Sequence, residues 1–207
     1  MPPPVDHEAR RKQVAAIAAT LLAKSGLEGV TFRDIAKAAG YSTAIVSHYF
    51  RNKRELMTYI FRSAAQGTVA RVDEELAAGK PLQDCVEWLL PLDDERIRDW
   101  QVWIAFWGHV ANDPDMLAEQ QRRAREALDL MRRVLLREYA GLDMPEQILE
   151  LRARRLLTMI TGLATETVFD PQQWPPERQR AVLADEIATI ERQATPHPAE
   201  PAFTAGR

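Results

Sequence analysis

Cysteine is almost missing from this chain of 207 residues. Cys85 stands alone, which excludes a disulfide framework and suits a reducing cytosol. The four histidines, His7, His48, His109 and His197, are scattered, and none sits at metal-ligand spacing from another. Serine is sparse too: Ser25, Ser42, Ser47 and Ser63 all lack a nucleophile-elbow context. Neither a phosphate-binding loop nor a dinucleotide glycine fingerprint appears, so no catalytic residue, metal or cofactor is implied. No apolar run reaches membrane-spanning length, and the opening MPPPVDHEARRKQ lacks the apolar core of a signal peptide. These absences point to a cytoplasmic protein without enzymatic machinery or a membrane partner.

What is present is an ordinary globular composition, 46% hydrophobic and 28% charged. The formal net charge of -3 hides an asymmetry. Residues 1–54 hold nine Lys/Arg against four Asp/Glu, a balance of +5, whereas the remainder holds 18 against 26, or -8. A basic head on an acidic body is the footprint of a chain whose N-terminal part meets phosphates.

Nearly every long segment reads as helix. Val14, Ile17, Ala18, Leu21 and Leu22 repeat at the spacing of a buried helical stripe, and Lys24-Ser25-Gly26 ends it. Asn52 followed by Glu55 resembles a capping box that opens a long helix from Lys53 to about Ala78. Further helices are expected near 82–91, 94–112, 114–140, 146–169 and 176–193, separated by Pro91, NDP, GLDMP and DPQQWPP. The fold class is therefore all-α. The organisation expected is a helix-turn-helix head with an N-terminal arm over 1–52, then a linker helix and helical body over 53–195. A proline-rich disordered tail follows over 196–207.

The stretch TFRDIAKAAGYSTAIVSHYFRNKREL, Thr31 to Leu56, differs from the rest. Thr31 with Asp34 caps a two-turn helix whose Phe32, Ile35, Ala36 and Ala39 form its apolar side. Gly40 can take the left-handed conformation that swings the chain, and Ser42 can cap the next helix. A small residue at Ala36, the glycine four later and branched Val46 are what a helix-turn-helix needs. With Val46 turned inward, Thr43, Ala44, Ser47 and His48 fall on the outward face. Short hydroxyls and a small apolar group there can enter a major groove and reach base edges and thymine methyls. Lys53 adds its charge to the open N–H groups at the start of the next helix, a ready phosphate clamp.

Over roughly residues 10–56, GYSTAIVSHYFRNKREL preceded by TFRDIAKAAG closely resembles the DNA-binding domain of the tetracycline-repressor (TetR) family. The variant with Ser42-Thr43, Ile45 and SHYF is similar to the choline-responsive BetI subgroup, and WQVWIAFWGHVANDPDM resembles that subgroup's body. The resemblance implies a three-helix head, a fourth helix linking to an all-helical ligand-binding and dimerising body, and ligand-controlled release from DNA. Carried onto this sequence, phosphate contacts fall to Thr31, Ser42, Tyr49 and Lys53. Base-edge readers are drawn from Arg33, Thr43, Ala44, Ser47 and His48, with Ser47 replacing the tyrosine most members carry there. The partners implied are double-stranded DNA with a palindromic operator, a second copy of the chain, and a small-molecule effector.

The body offers two further groups. Trp100, Trp103 and Trp107 share one helix face with Phe106 adjacent; such a stripe is either plain core or the wall of an effector cavity. Tryptophan faces attract organic cations, so the effector expected is cationic or aromatic-amphipathic, with a neutral hydrophobic compound as the nearest rival. Glu166 is the candidate carboxylate, its alternative being a residue that simply faces water. In the last two helices, Leu156, Ile160, Leu163, Leu183, Ile187 and Ile190 form apolar stripes. The resemblance implies that these join a symmetry mate in a four-helix bundle, and the same stripes also suit an intramolecular core. The Arg122–Arg125 run, flanked by Glu119, Glu126 and Asp129, reads as a solvated, ion-paired helix face. The competing function is a helical regulator or scaffold acting through protein partners, which would leave the basic head and its polar face unexplained.

Overall fold

The computed structural model describes residues 6–26, 29–141 and 144–194, so the expected tail and the first five residues of the arm lie outside the described residues. All regular structure among the described residues is helical: α1 His7–Ser25, α2 Phe32–Ala39, α3 Thr43–Tyr49, α4 Lys53–Ala77, α5 Leu82–Val86, α6 Asp94–Val110, α7 Pro114–Glu138, α8 Glu146–Phe169 and α9 Pro176–Ala194.

Local chemistry sets these boundaries. Asp6, Asn52, Asp93 and Asp113 each accept backbone N–H groups at the first turn of α1, α4, α6 and α7. Gly79, at φ 72°, closes α4 ahead of Pro81. The helix expected over 82–91 is shorter. It passes after Val86 into a 3-10 turn, Glu87–Leu89, and leaves Leu90 extended. Pro91 explains this, because its ring disfavours helical geometry at the residue before it.

Two apolar clusters organise the chain. One gathers Val14, Ala18, Ile35, Val46, Phe50, Leu56 and Met57 of the first four helices, and continues into Val102, Phe106 and Met116 of the body. Phe61 of α4 stacks on Phe106 at 4.0 Å, with ring planes 3° apart. The head therefore rests on α6 and the start of α7 through shared core.

The second cluster packs α5 to α9 together, and it settles the two readings of the last helices. Leu156, Ile160, Leu163, Leu183, Ile187 and Ile190 are all buried in this cluster within one chain. They are not free to face a partner, a correction to the dimerisation residues named above. A stripe at helical spacing states only that one side is covered, and here α7 and α5 lie against α8 and α9. The opposite side of α8 carries Leu151 and Phe169, 63% and 69% exposed, with exposed Thr158 and Gly162 between them.

Candidate nucleic-acid interface and effector cavity

The head is assembled around a glycine turn. Thr31 and Asp34 form a reciprocal capping box at the start of α2, and Gly40 ends it in the left-handed region at φ 69°, ψ 27°. Tyr41 N–H then closes on the Ala36 carbonyl at 2.9 Å. Ser42 occupies the position before α3, but its hydroxyl makes no cap hydrogen bond, contrary to the capping role expected of it.

Val46 of α3 and Phe50 just after it are fully buried, each burial contributing about 1.5–3 kcal/mol. This anchoring turns Thr43, Ala44, Ser47 and His48 outward, where all four are exposed, as are Arg33, Thr31 and Ser42. Tyr49 is half-buried and its hydroxyl lies 3.2 Å from His7 Nδ1. The Thr31 hydroxyl donates to Asp34 at 2.6 Å; that bond and the cap hold the Asp34 carboxyl below its usual range. A phosphate reaching the Thr31 or Tyr49 hydroxyl would compete with these partners. Lys53 opens α4 as its first residue, beside the Asn52 cap.

Nothing in its sequence context singles out His7. Its ring lies 6.0 Å from that of His48 and 6.2 Å from that of Tyr49, so α1 begins at the edge of the recognition face. The same is true of Arg11. Its guanidinium sits over the Tyr59 ring at 4.5 Å and the Phe50 ring at 5.2 Å, and reaches Glu55 at 3.6 Å. It ties α1 to the exit of α3 and the start of α4. Only contacts 39 to 48 residues apart in sequence give these two residues their roles.

In the body, a cavity of about 190 Å³ lies between α4, α6, α7 and α8. Trp100, Trp103 and Trp107 all line it. The Trp100 ring meets Trp103 edge-on at 4.7 Å and Trp107 at 6.1 Å. Trp100 Nε1 donates to the Leu89 carbonyl at 2.9 Å, and Trp107 Nε1 to Gln120 Oε1 at 2.8 Å. These bonds fix two of the three rings.

Two expected members of the cavity are elsewhere. Phe106 does not line the cavity and stacks behind it on Phe61, because one position in a helix turns a side chain away from its neighbour by about 100°. Glu166 is exposed on the outer face of α8 and does not line the cavity. The carboxylate at the wall is Glu126, already engaged by Arg123 at 2.6 Å. Arg123 also lines the cavity and reaches Glu119 at 2.9 Å.

Glu119 is 4% exposed. Burial by itself would raise its carboxyl, but hydrogen bonds from Arg62, Arg122 and Arg123 outweigh that and hold it at about 2. Arg62 belongs to α4, so one buried carboxylate joins the cavity wall to the helix that carries the head. The Arg122–Arg123 segment is thus ion-paired as its sequence suggests, although its central acid is buried rather than solvated.

Comparison with known proteins places both halves. The description "Bacterial regulatory proteins, tetR family" matches residues 16–60, and "BetI-type transcriptional repressor, C-terminal" matches residues 78–191. The HTH-type transcriptional regulator PksA of Bacillus subtilis is 29% identical over 202 residues, covering 92% of this chain and 94% of that protein. The HTH-type transcriptional regulator BetI of Vibrio campbellii is 25% identical, covering 86% and 90%. Among crystal structures, a transcriptional regulator of Rhodococcus sp. Rha1 superposes with a TM-score of 0.78 at 31% identity, covering 91% of this chain and 99% of that one. A regulator from Saccharomonospora viridis in complex with choline superposes with a TM-score of 0.77 at 20% identity, covering 87% and 96%. At that identity the likeness is one of fold.

Proposed function

The chain belongs to the TetR family of DNA-binding transcriptional regulators, with a BetI-type body, and we propose that it is a cytoplasmic repressor released from a palindromic operator by a small organic effector. The observation that carries the DNA reading is the exposed set Thr43, Ala44, Ser47 and His48, opposite fully buried Val46 and Phe50. Thr43, Ala44, Ser47 and His48, with Arg33, read base edges. Ser42 and Lys53 hold phosphates, joined by Thr31 and Tyr49 when phosphate displaces Asp34 and His7. The head, residues 1–52, acts as one recognition unit, and 53–195 as linker and regulatory body.

A single head offers few base contacts, so useful affinity needs two heads on a two-fold dimer, roughly 34–36 Å apart in successive major grooves. The dimer forms through the outward side of α8, where Leu151 and Phe169 flank Thr158 and Gly162. The absence of a side chain on Gly162, whose Cβ would meet nothing within the chain, lets a second helix approach closely.

The effector occupies the tryptophan cavity, and its class is a small organic cation such as a quaternary ammonium. Three rings set edge-on present faces in different directions, and cation–π attraction contributes about 0.5–2 kcal/mol per contact. Recognition rests on the rings, because the carboxylate at the wall is shared with Arg123. A ligand that shifts Arg123 disturbs Glu119 and through it Arg62, tilting α4 and changing the spacing of the heads. A mobility shift on the DNA upstream of the chain's own gene tests the reading. Retarded DNA that is freed by choline supports it; DNA retarded equally with choline, betaine-like zwitterions and neutral aromatics would remove the effector half of the proposal.

A further inference from the structure

A second and larger void, which shares Thr68 of its wall with the tryptophan cavity, lies where the head meets the body. It is an open cleft of about 500 Å³ between α1 and α4 that ends at Trp88 and the first turns of α6. Its long walls are small residues: Ala15, Ala16 and Ala19 of α1 face Ala64 and Gly67 of α4. A Cβ built on Gly67 meets no atom within 4 Å. Glycine inside a helix costs about 1 kcal/mol relative to alanine, and here no neighbour crowds the position.

The charged groups around this void are unequally matched. Arg96 is held by Asp93 at 2.8 Å and lies over the Trp88 ring at 5.1 Å. Arg71 is held by Glu74 at 3.1 Å and lies over the same ring at 5.7 Å. Asp99 lines the void with no hydrogen bond or ion pair among the described residues. Asp99 is half-buried, and a partly desolvated carboxylate without a protein partner gains from a cation placed beside it.

We propose that this head–body cleft binds a small aliphatic amine cation, its ammonium on Asp99 and its carbon chain along the alanine and Gly67 walls. An N–H-bearing ammonium fits better than a quaternary group, because Asp99 lacks a hydrogen-bond donor. Both arginines at the Trp88 end are already paired, which disfavours an anionic ligand, and the exposed Lys12 of α1 at the rim disfavours a long polycation. The occupant touches α1, α4 and α6 at once, so it ties the head to the body through α1, which the tryptophan cavity does not touch.

The occupancy depends on pH. Burial, with Glu95 and Asp93 nearby and Arg98 opposing, pushes the Asp99 carboxyl up to about 6. Lys12 of α1, Arg71 of α4 and Arg96 of α6 line the same void. Amine binding is complete where Asp99 is ionised and weakens about tenfold per pH unit below that value.

Calorimetric titration of the full chain with n-butylamine, with 1-butanol and tetramethylammonium as controls, tests the site. Saturable binding of the amine alone is expected at about pH 7.5, weakened at least roughly tenfold at about pH 5. Asp99→Asn, of unchanged shape, should weaken it by a similar factor, and Gly67→Leu should do so by filling the void. Trp103→Ala should leave it unchanged, which separates this site from the effector cavity. No saturation in the unaltered chain, or unaltered binding in either folded variant, would overturn the proposal. Loss of binding in Trp103→Ala alone would assign the amine to the tryptophan cavity instead.

Discussion

Arg62 of α4 donates to the buried carboxylate of Glu119 at 2.7 Å, and the other oxygen of that carboxylate takes Arg123 of the cavity wall at 2.9 Å. The first bond holds the helix that carries the head; the second holds a side chain that any occupant of the cavity meets. Arg54 makes a parallel tie from the start of α4 to Asp113 at 3.2 Å, so α4 is clasped to α7 at two heights.

Glu119→Gln removes the charge and keeps the shape. Leaving cations without their buried partner costs about 3 kcal/mol, at the low end for a buried pair because Arg62 and Arg122 are half exposed. The expected melting temperature falls by roughly 6–12 °C for a chain of this size, whereas Arg54→Ala, an exposed pair, costs about 0–1 kcal/mol. Equal melting of Glu119→Gln and the unaltered chain in a calorimetric scan would contradict the clasp.

The same carboxylate sets an acid limit. Its folded value of about 2 lies below the ordinary 4.5, so its contribution is complete above that ordinary value and is lost as pH falls toward the folded one. Stability of the unaltered chain should drop more steeply across that window than that of Glu119→Gln. Parallel curves in denaturant melts at stepped pH would show that Glu119 carries no such linkage.

On DNA, two classes of substitution should separate. Lys53→Ala should weaken binding to all sequences alike and reduce the slope of log affinity against log salt by about 0.9. Thr43→Val and Ser47→Ala should alter base preference and leave that slope unchanged. An unchanged slope for Lys53→Ala, measured by anisotropy at several salt concentrations, would remove the phosphate role.

Much of this was legible in the sequence, because the signals for it are local. Thr31 with Asp34, Asn52, and the glycine and proline stops fix helix ends within a few residues, and Gly40 fixes the turn. What the sequence left open depends on distant contacts. The stripe at Leu156, Ile160 and Leu163 marks a covered side without saying what covers it. Phe106 and Glu166 sit in sequence beside other residues of α6 and α8 that meet the cavity or core, yet the helical turn points Phe106 into the head's cluster and Glu166 to solvent. Glu119 reads as a surface acid until α4 brings Arg62 against it.

The proposed dimer uses the side of α8 that carries exposed Leu151 and Phe169. Leu151→Glu with Phe169→Glu should give a folded monomer with weak operator affinity, whereas Leu163→Asp, buried, should unfold the body. Sedimentation decides: a double variant that stays dimeric at micromolar protein would place the interface elsewhere.

Trp103→Ala should reduce the affinity for choline-like cations by roughly fivefold to thirtyfold, the loss of one ring contact of about 1–2 kcal/mol. Tryptophan fluorescence titration reads this directly. Saturable quenching by neutral compounds alone would assign the cavity to a neutral effector.

The most direct test of the account is a footprint of the protein on the DNA upstream of its own gene. Two protected, inverted half-sites are expected, centred about one helical turn or a multiple of it apart, with protection lost when Thr43, Ser47 and His48 are together replaced by alanine. Unprotected DNA, or protection that survives the triple replacement, would contradict the assignment of α3 as the element that reads DNA.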